Sequence, residues 1–124
     1  MPIITVKTNV AEDKIPKGVQ GELTDIGADF LKKPKEVIWV ELEAGRNLTQ
    51  GGTSDPVATV SVECIGRLKP SLNLAMGRRI EDVIIEKLGV NRDRIVVRFF
   101  SVQALYCTYN GALHDIRIDY DEDL

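Results

Sequence analysis

The chain has 124 residues, with 16 Lys and Arg against 19 Asp and Glu, a formal charge of −3 and a hydrophobic fraction of 44%. That length suits one domain burying roughly two-thirds of the surface its unfolded form exposes, and the near-balanced charge gives no electrostatic footprint for nucleic acid or an anionic membrane. No apolar stretch approaches the roughly 20 residues that span a bilayer, and the N-terminus lacks the basic and apolar regions of a signal peptide, so a cytoplasmically made protein without membrane insertion is expected.

The opening MPIITVKTNV sets Pro2 before an apolar run, Ile3 to Val6, that reads as a strand. Proline is about 5% of average sequence, so Pro2 carries no function by itself. Its nitrogen becomes a base only if Met1 is removed and a free secondary amine results. Val19, Leu23, Ile26 and Phe30 then recur at spacings of four, three and four, predicting a helix to about Lys33, where Pro34 ends it. Val37 to Leu42 reads as a strand, Glu43 to Pro56 as a connector rich in Gly and Thr, and Val57 to Ile65 as another strand. A second helical stripe of Met76, Ile80, Val83, Ile84 and Leu88 closes at Gly89, and Ile95 to Phe100 is the last clear strand.

The halves repeat. Leu23, Ile26, Leu31 and Ile38 correspond to Ile80, Val83, Leu88 and Ile95 at one constant shift (80 − 23 = 95 − 38 = 57). Each half is a βαβ unit, which predicts an α/β fold of two βαβ repeats: a four-stranded mixed sheet with both helices on one face. Under the helices the spacing by two places Ile38, Val40 and Leu42, then Val60, Val62 and Cys64, then Ile95, Val97 and Phe99. The opposite face carries Trp39 and Glu41, Thr59, Ser61 and Glu63, and Val96, Arg98 and Phe100. Such a mixed face suits a sheet that meets other copies of itself, as in a closed symmetric oligomer, or an ordinary solvated sheet with a few stray aromatics. Arg98 on that face calls for a carboxylate, with Glu41 or Glu63 the expected protein partners.

Cys64 and Cys107 lie far apart without a C-x-x-C pair, and His114 is the one histidine, so no metal framework is expected and buried reduced thiols are the plain reading. Asn47-Leu48-Thr49 matches a glycosylation sequon that has little weight without a secretory signal.

Several stretches resemble the macrophage migration inhibitory factor and D-dopachrome tautomerase family: MPIITVKTNV with Pro2, Lys33-Pro34, GGTSDPVATVSVECIG, DRIVVRFF and Tyr109-Asn110-Gly111. The match runs from Met1 to about Gly111, so a family domain over 1–111 and an acidic C-terminal extension over 112–124 are expected. In that extension Ile116, Ile118 and Tyr120 alternate as in a strand, while Asp119 to Asp123 read as a solvated tail. The resemblance implies a homotrimer with an active site at each subunit interface, no cofactor, and a small enolisable aromatic keto acid as substrate.

It also implies roles. Pro2 is the catalytic base, neutral near pH 7 if a nearby cation and apolar walls lower its pKa below the α-amino range. Lys33 supplies that cation and holds the substrate's carboxylate or carbonyl oxygen, and the Ile65 backbone N–H adds a hydrogen bond. Cys107 and Tyr109 match aromatic and apolar walls of the site. Val96 and Arg98 stand where the migration-inhibitory branch has Tyr and Asn, which favours the D-dopachrome branch. Taken singly, Lys33 reads as a helix-end lysine, Ile65 as strand core and Tyr109 as a bridge between core and solvent. Val57-Ala58-Thr59-Val60 replaces a Cys-x-x-Cys, so thiol–disulfide activity is not expected. The competing class is a cytokine-like ligand of a cell-surface receptor, released by a route without a signal peptide, with a vestigial or incidental pocket.

Overall fold

The computed structural model describes residues 1–113. In chain order it has β1 (Ile3–Thr8), α1 (Val19–Leu31), β2 (Trp39–Glu43), β3 (Ala58–Cys64), α2 (Pro70–Leu88), β4 (Ile95–Ser101) and a small hairpin of β5 (Thr108–Tyr109) and β6 (Ala112–Leu113). The main sheet runs β2-β1-β3-β4. Each βαβ unit contributes a parallel pair, β1 with β2 and β3 with β4, and the two units meet through antiparallel β1 and β3. The sheet is mixed because two parallel units are joined back to back.

The shift of 57 residues recurs in the backbone. Both helices end on a left-handed residue, Lys32 (φ 54°) and Gly89 (φ 71°), whose N–H bonds the carbonyl four residues back, Ala28 and Ile85 respectively. One 3-10 turn then leads into each following strand, Lys35–Val37 and Arg92–Arg94. Helix α1 therefore stops at Leu31 rather than about Lys33. The cap forms at Lys32, and Pro34 disfavours helical geometry at Lys33. Helix α2 begins at Pro70, well before its apolar stripe, because proline is well tolerated in a first helical turn.

One core lies between sheet and helices. Ile4, Val6, Ala58, Val60, Val62 and Cys64 of the two central strands pack against Leu23, Ile26 and Leu31 of α1 and Met76, Ile80 and Ile84 of α2. Burying each of the larger aliphatic side chains stabilises the fold by roughly 1.5–3 kcal/mol. The expected core positions of β2 and β4 (Val40 and Leu42; Ile95, Val97 and Phe99) pack against this core but are only partly buried, because in the single chain both are edge strands. On the other face Trp39, Val96 and Phe100 are 44%, 47% and 43% exposed, in keeping with its mixed character.

Thr8 and Asn9 bind the connector to the sheet. The buried Thr8 hydroxyl donates to the Val57 carbonyl (2.8 Å) and accepts from the Val10 N–H (3.2 Å). Asn9 Nδ2 donates to the Ser54 and Asp55 carbonyls, while its Oδ1 accepts from the Val57 N–H. The extension beyond Leu113, including His114, Ile116, Ile118, Tyr120 and the acidic run, lies outside the described residues.

Candidate active site

Pro2 enters the structure at the start of the central strand β1, where its side chain is fully buried. Its carbonyl accepts from the Trp39 N–H at 3.0 Å, and the parallel register continues with Ile3 opposite Trp39. Long-range pairing thus fixes the N-terminus against the first residue of β2. An open groove of about 600 Å³ runs beside it, with Met1, Ile3, Trp39 and Glu41 among its walls.

Three other chain segments converge on that point. Lys33 follows directly on the left-handed cap of α1. Ile65 follows β3, whose last residue Cys64 accepts from the Val102 N–H at 3.0 Å. Cys107 follows the 3-10 turn Ala104–Tyr106. Their nearness shows in the electrostatics of the chain's amine: burial holds the Met1 amine below its ordinary 8.0, Cys64 opposes, the Lys33 ammonium pushes it down further, and Cys107 opposes. Burial also pushes the Cys64 thiol up, so at neutral pH that thiol is protonated and Lys33 is the charge that counts. An amine shifted toward its neutral form beside a cation can take a proton from carbon while the cation holds an anionic oxygen.

Tyr109 reaches the groove through its wall residue Trp39. Its ring meets Trp39 edge-on with centroids 5.6 Å apart. The β5–β6 hairpin that carries it turns at Asn110 (φ 54°) and Gly111 (φ 82°), the successive left-handed pair that a type I′ turn requires.

Val96 and Arg98 are not brought to Pro2 within the chain. Ile3 pairs with Glu63, which pairs with Phe100, whereas Val96 lies on the row of Lys7 and Thr59 and Arg98 on the row of Thr5 and Ser61. Val96 is therefore about 13 Å along the strands and about 10 Å across them from the start of β1. The Arg98 guanidinium lies over the Phe100 ring, 5.5 Å from its centroid. Among the described residues no ion pair joins it to Glu41 or Glu63. Glu41 is three strands away on the same row, out of reach.

Sequence reasoning placed Trp39 only on the mixed face and passed over Arg67. Trp39 reaches the site through the β1–β2 register, which no local pattern announces. Arg67 carries a signal in its setting, a large residue directly after Gly66 at the end of a strand. Among the described residues no group of three or more His, Cys, Asp and Glu is placed to hold a metal, and no helix is long and apolar enough to cross a membrane.

Two βαβ units sharing one mixed sheet, with the chain's N-terminus at the head of a central strand, define the class of small α/β proteins built on a βαβ repeat. The chain belongs to the macrophage migration inhibitory factor family, whose model matches residues 1–114. It is 33% identical over 111 residues to the MIF-like protein mif-2 of Caenorhabditis elegans, covering 90% of this chain and 92% of that protein. It is 30% identical over 112 residues to the macrophage migration inhibitory factor of Meriones unguiculatus, covering 90% and 97%. Among solved structures, the macrophage migration inhibitory factor of Oncomelania hupensis superposes with a TM-score of 0.92 at 54% identity, covering 99% of this chain and 89% of that one. The Trichinella spiralis protein shares the fold at a TM-score of 0.86 and 24% identity, covering 90% and 99%.

Proposed function

We propose that the chain is a cofactor-free keto–enol tautomerase of phenylpyruvate or D-dopachrome type, with the Pro2 amine, freed by removal of Met1, as its base. The observation that carries this reading is the place of Pro2, fully buried at the head of β1 and bonded to Trp39, one residue from the Met1 amine that burial and the Lys33 charge both shift toward its neutral form. The neutral Pro2 nitrogen takes the proton from the carbon next to the substrate carbonyl, and the electron pair moves onto the carbonyl oxygen as an enolate. Lys33 and the Ile65 N–H hold the substrate's oxygens through that change. The Pro2 ammonium then returns its proton to the enolate oxygen, leaving the base as it began.

In this reading the working form is a homotrimer of the 1–111 domain together with β6, whose Ala112 pairs with Tyr109, and the rest of the 112–124 extension has no part in catalysis. The separation of Val96 and Arg98 from Pro2 within one protomer supports a site shared between protomers, with these two residues supplied by a neighbour and Cys107 and Tyr109 as walls. The receptor-ligand alternative rests on family membership, and no feature of the site favours it. The test is the turnover of phenylpyruvate and D-dopachrome by protein whose intact mass confirms loss of Met1. Pro2→Gly is expected to lower kcat by about 10²–10⁴, the usual contribution of a positioned base. Unchanged turnover in that variant would remove Pro2 from the mechanism.

A further inference from the structure

Arg67, two residues beyond Ile65, has the left-handed φ of 69°. The Leu68 N–H donates to the Gly66 carbonyl at 2.8 Å, closing a three-residue turn around it. A γ-turn with positive φ is rare and strained, and a large side chain persists in one only where its surroundings hold it there. The hold is a hydrogen bond across 37 residues of sequence: Arg67 Nη2 donates to the Phe30 carbonyl at 3.3 Å. Phe30 lies in the last turn of α1, where carbonyls lack helical partners and carry the negative end of the helix dipole. Among the described residues Arg67 has no carboxylate partner. The bond therefore joins the segment that carries Lys33, three residues after Phe30, to the segment that carries Ile65.

We infer that Arg67 is a positioning residue: by tying the loop after β3 to the end of α1, it sets the separation between the Lys33 ammonium and the Ile65 backbone N–H. The inference rests on the proposed roles of those two groups. It differs from a direct role for Arg67, in which the guanidinium would itself attract an acidic ligand through space. Its charge does reach the site, since Arg67 and Lys33 both act on the Cys64 thiol, so the two roles must be separated by experiment.

A double-mutant cycle separates them. The probe is phenylacetate, an unreactive aromatic carboxylate, titrated against the fluorescence of Trp39, the single tryptophan of the chain. Arg67→Met, which keeps the apolar stem and loses the donor, is expected to raise Kd about tenfold, the size of one charged hydrogen bond. Lys33→Ala should raise it comparably, and the double variant should bind no worse than Lys33→Ala alone, because Arg67 acts through Lys33. Arg67→Lys should recover most of the affinity. If Arg67→Met folds poorly, Arg67→Gly removes the guanidinium while relieving the left-handed strain, and must show the same loss. Additive losses in the double variant overturn the inference in favour of an independent cation. An unchanged Kd with a lowered Tm overturns it in favour of a loop staple, and so does the absence of phenylacetate binding by the wild-type chain. The tautomerase reading fails by a different result, retention of turnover in Pro2→Gly, which the binding cycle does not use.

Discussion

Trp39 and Tyr109 meet edge-on, with ring centroids 5.6 Å apart and planes at 82°. The contact joins the first residue of β2, already bonded to Pro2, to the hairpin near the end of the described chain. Such aromatic pairs contribute about 0.5–1.5 kcal/mol beyond their buried area. Tyr109→Ala is expected to destabilise the protein by about that amount and to shift the emission of the lone Trp39 to the red. Tyr109→Phe, which keeps the ring, should leave both nearly unchanged. A Tyr109→Ala spectrum identical to wild type would show that the hairpin does not dock on Trp39 in solution.

The amine at the head of β1 predicts a pH profile. The Met1 amine, one residue before Pro2, is held below the ordinary 8.0, first through burial and further through Lys33, and the Pro2 amine freed at the same point is expected to feel the same two influences. The base is active when neutral, so kcat/KM should rise with pH through an inflection below 8.0 and level off above it. Lys33→Ala removes the cation, which favours the charged amine, so the inflection should move up. Because burial is the larger cause, it should still fall below 8.0. A profile identical to wild type would leave Lys33 as a helix-end lysine only.

Arg98 and the oligomer are tested together. Light scattering on the 13.8 kDa chain should return about three times that mass. A monomer at micromolar concentration would leave Val96 and Arg98 far from any Pro2. With no ion pair among the described residues, Arg98 is available to a carboxylate of a neighbouring protomer or of the substrate. Arg98→Met, assayed with an enolisable acid and its methyl ester, distinguishes the two. Loss confined to the acid at an unchanged Tm places Arg98 on the substrate, whereas equal losses with a lowered Tm place it in the interface.

Arg94 is the clamp of the connector. Its guanidinium donates to the Pro56, Thr53 and Asp55 carbonyls and to Gln50 Oε1, at 2.8–3.3 Å. Arg94→Ala is expected to cost about 1–3 kcal/mol, moderated because these bonds are solvent-exposed, and to open the segment around Gly51-Gly52 to proteolysis. Arg94→Lys should recover only part of this, since an ammonium cannot reproduce the planar fork. Unchanged Tm and cleavage rates in Arg94→Ala would show that Thr8 and Asn9 hold the connector without it.

The sequence by itself determined the two βαβ units, their shift of 57 residues, the alternating faces of the sheet and the C-terminal ends of the helices to within a few residues. These are local properties, since burial of one face imposes a period of two on strands and of 3.6 on helices, and a proline or glycine marks where the period stops. It also singled out Pro2, Lys33, Ile65, Cys107 and Tyr109, but by resemblance, because taken singly each had a structural reading at least as good. Only the tertiary structure decided which of them meet. The parallel register of β1 on β2 puts Trp39 beside Pro2, and the Arg67–Phe30 bond draws the Ile65 loop to the end of α1. The pairing of β1 with β3 and of β3 with β4 carries Val96 and Arg98 to the far rows of β4, out of reach of their own Pro2. Such distances are set by pairing between segments tens of residues apart, and periodicity within one segment carries no record of which partner it will find.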